Sequence, residues 1–175
     1  DKLIQIYVGV QNLHTSEIEW TNMGIYLINQ PSYQYDAVTH TLTFSGVDLM
    51  SRMTGLRNGY LIGVTYKVPA GNNIREVIIS ILAENGFKKY IVSECYNNNG
   101  DIQEVPYDME YEMGSCWYDI LSDLRDILPN YQIYFDVDGV FHYEPIPYTD
   151  SEPIMIDDNI WDENVISETV NVDFE

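Results

Sequence analysis

At Pro69-Ala70-Gly71 the apolar residues of this chain change their period, and that change constrains the fold more than any other feature. Before it the pattern is that of strands. Residues 3–10 alternate, with Ile4, Ile6 and Val8 on one side. Residues 18–20 and 25–28 are short apolar runs that Asn22-Met23-Gly24 divides as a turn. Residues 38–44 alternate most clearly. Val38, His40, Leu42 and Phe44 face one way and three threonines the other, as in a half-buried strand. Ser45-Gly46 leads into a helical turn over residues 47–52. Asn58-Gly59 predicts a hairpin from a segment near Leu56 into a strand over residues 60–68. Five or six strands with one helical turn fit a small barrel or sandwich.

After the break the period becomes helical. Asn72 or Asn73 supplies a cap. Ile74, Val77, Ile78, Ile81 and Leu82 then trace one buried helix face, which Asn85-Gly86 ends. Residues 87–93 return to a strand, and residues 97–101 form a loop tip. A second helix starts near Ser115; Trp117, Ile120, Leu121, Leu124, Ile127 and Leu128 share a face, and Pro129 stops it. Strands over 131–137 and 140–143 flank Asp138-Gly139, a two-residue hairpin signal that pairs Val137 with Val140 and Phe135 with His142. The expected class is α+β: a β-rich portion over 1–69, then a helix–strand–helix–hairpin module over 70–150. Residues 151–175 read as an acidic return segment, with short apolar stretches at 154–156 and 165–166.

Composition narrows the function. A chain of 175 residues makes one large domain or two small ones, and 45% apolar with 21% charged residues is ordinary for a globular protein. The apolar run at residues 77–82 is broken by Ser80 and falls far short of the ~20 residues of a membrane helix. No basic-then-apolar start marks a signal peptide. The chain opens at Asp1 without Met and its last residues still read as strand, so it is read as a piece of a longer protein.

Eight basic residues stand against 28 acidic ones, a net charge of −20. Residues 1–69 carry five acids and four bases, residues 70–128 eleven and four, and residues 129–175 twelve and none. Nucleic-acid affinity comes from Lys and Arg neutralising phosphates, so this balance argues against it. It argues against anionic membranes too. An acidic surface lets a polyanion pass without sticking; plain solubility explains the charge as well.

Candidate chemistry is sparse. Cys95 and Cys116 have no CxxC spacing and read as two reduced, partly buried thiols. A helix start at Cys116 would lower its pKa, while Glu110, Glu112 and Asp119 pull it up. Asp136-Val137-Asp138-Gly139 opens like a calcium loop, but Gly falls at position 4 instead of 6, and the hairpin reading wins. Asp150, Glu152, Asp157, Asp158, Asp162 and Glu163 cluster in sequence, as expected by chance among 28 acids. His14, His40 and His142 lack metal-site spacing. No nucleophile elbow or phosphate-cradling glycine loop occurs. The expectation is no catalytic residue, no metal and no cofactor. Fifteen tyrosines, among them Tyr33, Tyr35, Tyr107, Tyr111, Tyr118 and Tyr134, suit interfaces, a core or a sugar-stacking surface.

Two stretches carry a likeness. One is Gly24-Ile-Tyr-Leu-Ile-Asn-Gln-Pro-Ser-Tyr-Gln-Tyr-Asp, followed by Leu42-Thr-Phe-Ser-Gly-Val-Asp-Leu-Met-Ser-Arg-Met. The other is Tyr111-Glu-Met-Gly-Ser-Cys-Trp-Tyr-Asp-Ile-Leu-Ser-Asp-Leu-Arg-Asp-Ile-Leu, leading to Tyr134-Phe-Asp-Val-Asp-Gly-Val-Phe-His-Tyr-Glu-Pro. Together they resemble the baseplate hub or tail-associated proteins of tailed bacteriophages and prophages, whose architecture the spike proteins of type VI secretion share. The resemblance covers most of the chain as a pattern and is most specific over residues 45–50 and the helix–hairpin unit.

That resemblance implies a β-barrel-like tube-domain portion over 1–69 and an inserted module over 70–150, with 151–175 starting a further barrel strand. It implies a virion structural protein and no enzyme: part of the tail-tip ring that joins tail tube to spike and passes DNA. Its partners would be the tail tube, distal tail and spike proteins, with a homotrimer in the full-length protein, located in the virion tail and assembled in the host bacterial cytoplasm. The rival readings are a carbohydrate-binding adhesion module and a cell-wall hydrolase domain.

Overall fold

The helical stretches form because their apolar spacing matches one turn and their ends are capped. In the computed structural model, which describes residues 2–147 except 13, 14, 30, 36, 37, 39, 64 and 98, α1 spans Ile74–Glu84. The Asn73 side chain accepts the backbone N–H groups of Arg75 at 2.8 Å and Glu76 at 3.4 Å, so it is the cap. Gly86, at φ 76°, ends the helix in the left-handed region. Ile74, Ile78, Ile81 and Leu82 are buried. Helix α2, Trp117–Asp126, buries Ile120, Leu121 and Leu124. Its start is closed by Asp119, whose carboxylate accepts the Cys116 N–H at 2.8 Å.

Among the described residues ten strands accompany them: β1 (Leu3–Gln11), β2 (Ile18–Ile28), β3 (Ser32–Tyr35), β4 (His40–Thr43), β5 (Gly46–Val47), β6 (Tyr66–Val68), β7 (Tyr90–Val92), β8 (Met109–Tyr111), β9 (Tyr131–Phe135) and β10 (Phe141–Pro145). They make four small sheets, ordered β1-β2-β5, β3-β4, β6-β8 and β7-β10-β9. In the last, β10 runs parallel to β7 and antiparallel to β9. The class is α+β, rich in strand, and no closed barrel forms among the described residues. Residues 151–175, with the return segment and most of the acidic cluster, lie outside the described residues, as do Asp150 and His14.

One contiguous core joins both helices to β6–β10, from Met53 to Tyr143. Phe141 and Tyr143 of β10 are its largest fully buried side chains. Polar ties close it. The Tyr111 hydroxyl donates to Asp123 on α2 at 2.8 Å, and the Tyr131 hydroxyl donates to the Glu94 carbonyl at 2.9 Å. Of residues 2–47, only Gly24 and Leu27 are buried among those described. The first three strands therefore lack a core of their own.

Several expected turns take other forms. Asn22-Met23-Gly24 is a bulge inside one continuous strand, β2, where the register against β1 shifts between Ile6 and Tyr7. The Asn22 side chain accepts the Gly24 N–H at 3.1 Å, and Gly24 takes φ 119°. Asn58-Gly59 makes no hairpin. The Gly59 carbonyl instead accepts the Trp117 N–H at 2.9 Å, and a Cβ there would lie 2.5 Å from Met53 Cα, so only glycine fits. Asp138-Gly139 does make the β9–β10 hairpin, but one residue out of the expected register: Phe135 pairs with Phe141 and Tyr134 with His142. Gly139 N–H bonds the Asp136 carbonyl and Asp136 N–H bonds that of Val140, each at 3.0 Å, with Gly139 at φ 71°. This is the three-residue loop with a glycine bulge, not the two-residue loop. The helical turn is a 3-10 helix, Leu49–Arg52, capped by the Asp48 carboxylate on the Met50 N–H.

Candidate functional site

The β1–β2 hairpin is the largest element without a core beneath it. In an antiparallel ladder, directly opposed residues share a face. One face holds the pairs Ile4–Tyr26, Ile6–Gly24, Val8–Thr21 and Val10–Glu19. The other holds Leu3–Leu27, Gln5–Ile25, Tyr7–Asn22, Gly9–Trp20 and Gln11–Ile18. Gly9 leaves room for Trp20 and Ile18 to lie across the strand: a Cβ there would meet both within 3.0 Å.

The second face docks at its base on the β9–β10 turn. The Asn22 amide donates to Asp138 Oδ1 at 3.0 Å and to the Val137 carbonyl at 3.2 Å. Gly139 is close enough to Ile25 and Leu49 that a side chain there would crowd both. Beyond this base the hairpin is open on both faces. Ile6, Val8 and Val10 are exposed on one and Tyr7, Ile18 and Trp20 on the other; Trp20 is 65% exposed.

Among the described residues, no strand pairs with the outer edge of β1. β1 is the outer strand of its sheet and carries neither charge nor proline over nine residues. Edge strands of this kind are templates for pairing unless something covers them. Full burial of a large apolar side chain contributes roughly 1.5–3 kcal/mol. Completing the burial of these six half-exposed ones adds on the order of 5–9 kcal/mol, comparable with the roughly 4–15 kcal/mol that association costs. One such contact is marginal, and a contact repeated around an assembly is stable.

The polar groups singled out on the β9–β10 hairpin are engaged in structure. His142 is stacked on Tyr134 with centroids 4.8 Å apart, and its Nε2 lies 3.1 Å from Asp136. The Tyr134 hydroxyl donates to Glu144 at 2.6 Å. Burial works against charge on Asp136, but the Val140 N–H, the His142 ring and the Asp138 N–H outweigh it and hold the carboxyl below its ordinary range. The Tyr134 bond likewise lowers Glu144, against partial burial.

Both cysteines are free thiols. Burial and then Asp119 push the Cys116 thiol up, so the helix start does not activate it. Burial also raises Cys95, whose thiol lies 3.5 Å from the Tyr143 hydroxyl. Among the described residues, no three His, Cys, Asp or Glu side chains converge as metal ligands. No described helix is long and apolar enough to cross a membrane.

The open hairpin had a signal in sequence: no charge interrupts residues 3–10, and Leu3 and Tyr7 add apolar side chains on the face opposite Ile4, Ile6 and Val8. Tyr33 and Tyr35, noted among the tyrosines, stand side by side on β3 with rings 6.4 Å apart, both exposed. No family model, curated relative or solved structure matches the chain.

Proposed function

We propose that this chain is a structural part of a phage tail or tail-like particle, within the hub or tail-tip ring that joins tube to spike and passes DNA. The observation that carries this reading is the largely apolar β1–β2 hairpin with its uncharged outer strand, open among the described residues on both faces and along its edge, attached to a module with a contiguous core. Such a surface suits permanent burial between subunits. Residues 1–69 carry a net charge of −1, so copies can approach through this region without strong repulsion, while the remaining −19 suits a conduit that repels DNA. The chain acts mechanically and not as an enzyme. Its partners are other tail proteins, and the full-length protein is a homotrimer.

Mass spectrometry of gradient-purified tails from the source bacterium tests this. The protein should co-purify at a fixed small copy number per tail. Its absence from intact tails contradicts the reading.

A second reading is a carbohydrate-binding adhesion module, favoured by the exposed Tyr33–Tyr35 pair, which resembles a sugar-stacking platform. Glycan binding at millimolar concentration that Tyr33→Ala and Tyr35→Ala abolish would put it first.

A further inference from the structure

Where the N-terminal sheet meets the helical module there is a cleft of about 180 Å³. Its apolar floor includes Leu49 and Phe87, both buried. Its rim holds Arg52, Lys88 and Lys89, three of only eight basic residues in a chain of net charge −20. Elsewhere Lys67 pairs with Glu110, Arg75 with Glu94 and Arg125 with Asp126. Lys88 and Lys89 form no ion pair among the described residues. The one carboxylate on the rim, Asp138, is engaged by the Asn22 amide. An apolar floor under unpaired lysines selects a peptide that mixes carboxylates with large apolar side chains.

The chain carries such a peptide. Residues 154–166 read Ile-Met-Ile-Asp-Asp-Asn-Ile-Trp-Asp-Glu-Asn-Val-Ile, with seven apolar residues, four acids and no base. They lie outside the described residues. We infer that the cleft is the docking site of this acidic, apolar segment of the same chain.

Reach supports the intramolecular source. The Phe141 N–H bonds the Lys89 carbonyl at 3.1 Å, so the cleft lies beside the start of β10. The five residues of β10 carry the chain away by about 17 Å. Residues 146–153 can span about 26 Å when extended, enough to return. A tether this short keeps the segment at millimolar local concentration, which a second copy of a −20 chain does not match. The inference stands apart from any role in a tail.

Zero-length carbodiimide cross-linking of the whole 175-residue protein, read by mass spectrometry, tests it. The expected result is amides from Lys88 or Lys89 to Asp157, Asp158, Asp162 or Glu163 within one copy. Lys88→Gln with Lys89→Gln should leave the circular dichroism unchanged and speed hydrogen exchange of 154–166 at least about tenfold. Links from these lysines to Asp138 alone, or unchanged exchange in the double variant, overturn it. Links that join isotopically labelled to unlabelled copies overturn it too, in favour of a second copy.

Discussion

Asp136 shows how much one side chain can organise. Its carboxylate accepts the N–H groups of Asp138 at 3.0 Å and Val140 at 2.8 Å, and it faces His142. The turn it holds is the one on which Asn22 docks. Because its pKa is lower folded than unfolded, its stabilisation is present above the unfolded value, about pH 4, and is lost as pH falls through the folded value. Glu144 has the same sign. Asp136→Asn should cost about 1–2 kcal/mol at pH 7 and progressively less towards pH 2, read from urea midpoints across that range. Cys116 is a poor cap at the head of α2; Cys116→Ser should stabilise by a few tenths to about 1 kcal/mol, seen as a raised Tm. The Asp-Gly turn was legible as a turn. Its register was not, because the two side-chain bonds of Asp136 select the longer loop, and nothing in the dipeptide announces them.

Among the elements, the helices were legible and the short strands were not. A 3.6-residue repeat over eleven residues is a strong local signal, and Asn73 and Gly86 mark its ends. By contrast β6 and β8 are three residues each and pair across more than forty positions, so their partnership is set by the core they close. β2 was split in sequence because a glycine at positive φ inside a strand reads like a turn. The same contrast governs energetics. Ile78 is fully buried, and Ile78→Ala should cost about 2–5 kcal/mol in urea unfolding. Val8 lies on the open hairpin, where Val8→Lys should change the stability of the isolated chain by no more than about 0.5 kcal/mol. On the proposed function, that same substitution stops incorporation into tails, assayed by blotting of purified particles. A variant that incorporates normally would show that this face is not an interface.

At the scale of the molecule, the protein is lopsided. Residues 53–143 contain the contiguous core, and the residues before them hold 13 of the 24 exposed large apolar side chains among the described residues. In the isolated chain, amides of β1 and β2 should exchange much faster than those of α1 and α2, because only the latter are backed by that core. Comparable protection would mean that something within the chain already covers the hairpin. This imbalance had only a faint trace in sequence, since alternation identifies a strand without saying whether anything packs against it. The measurement that tests the account most directly is immunogold labelling of purified phage or induced prophage particles from the source bacterium, with antibody raised against this chain. Label clustered at the distal end of the tail is the predicted result. Intact tails without label, alongside label on the cell surface, would contradict it and make the adhesion module the better account.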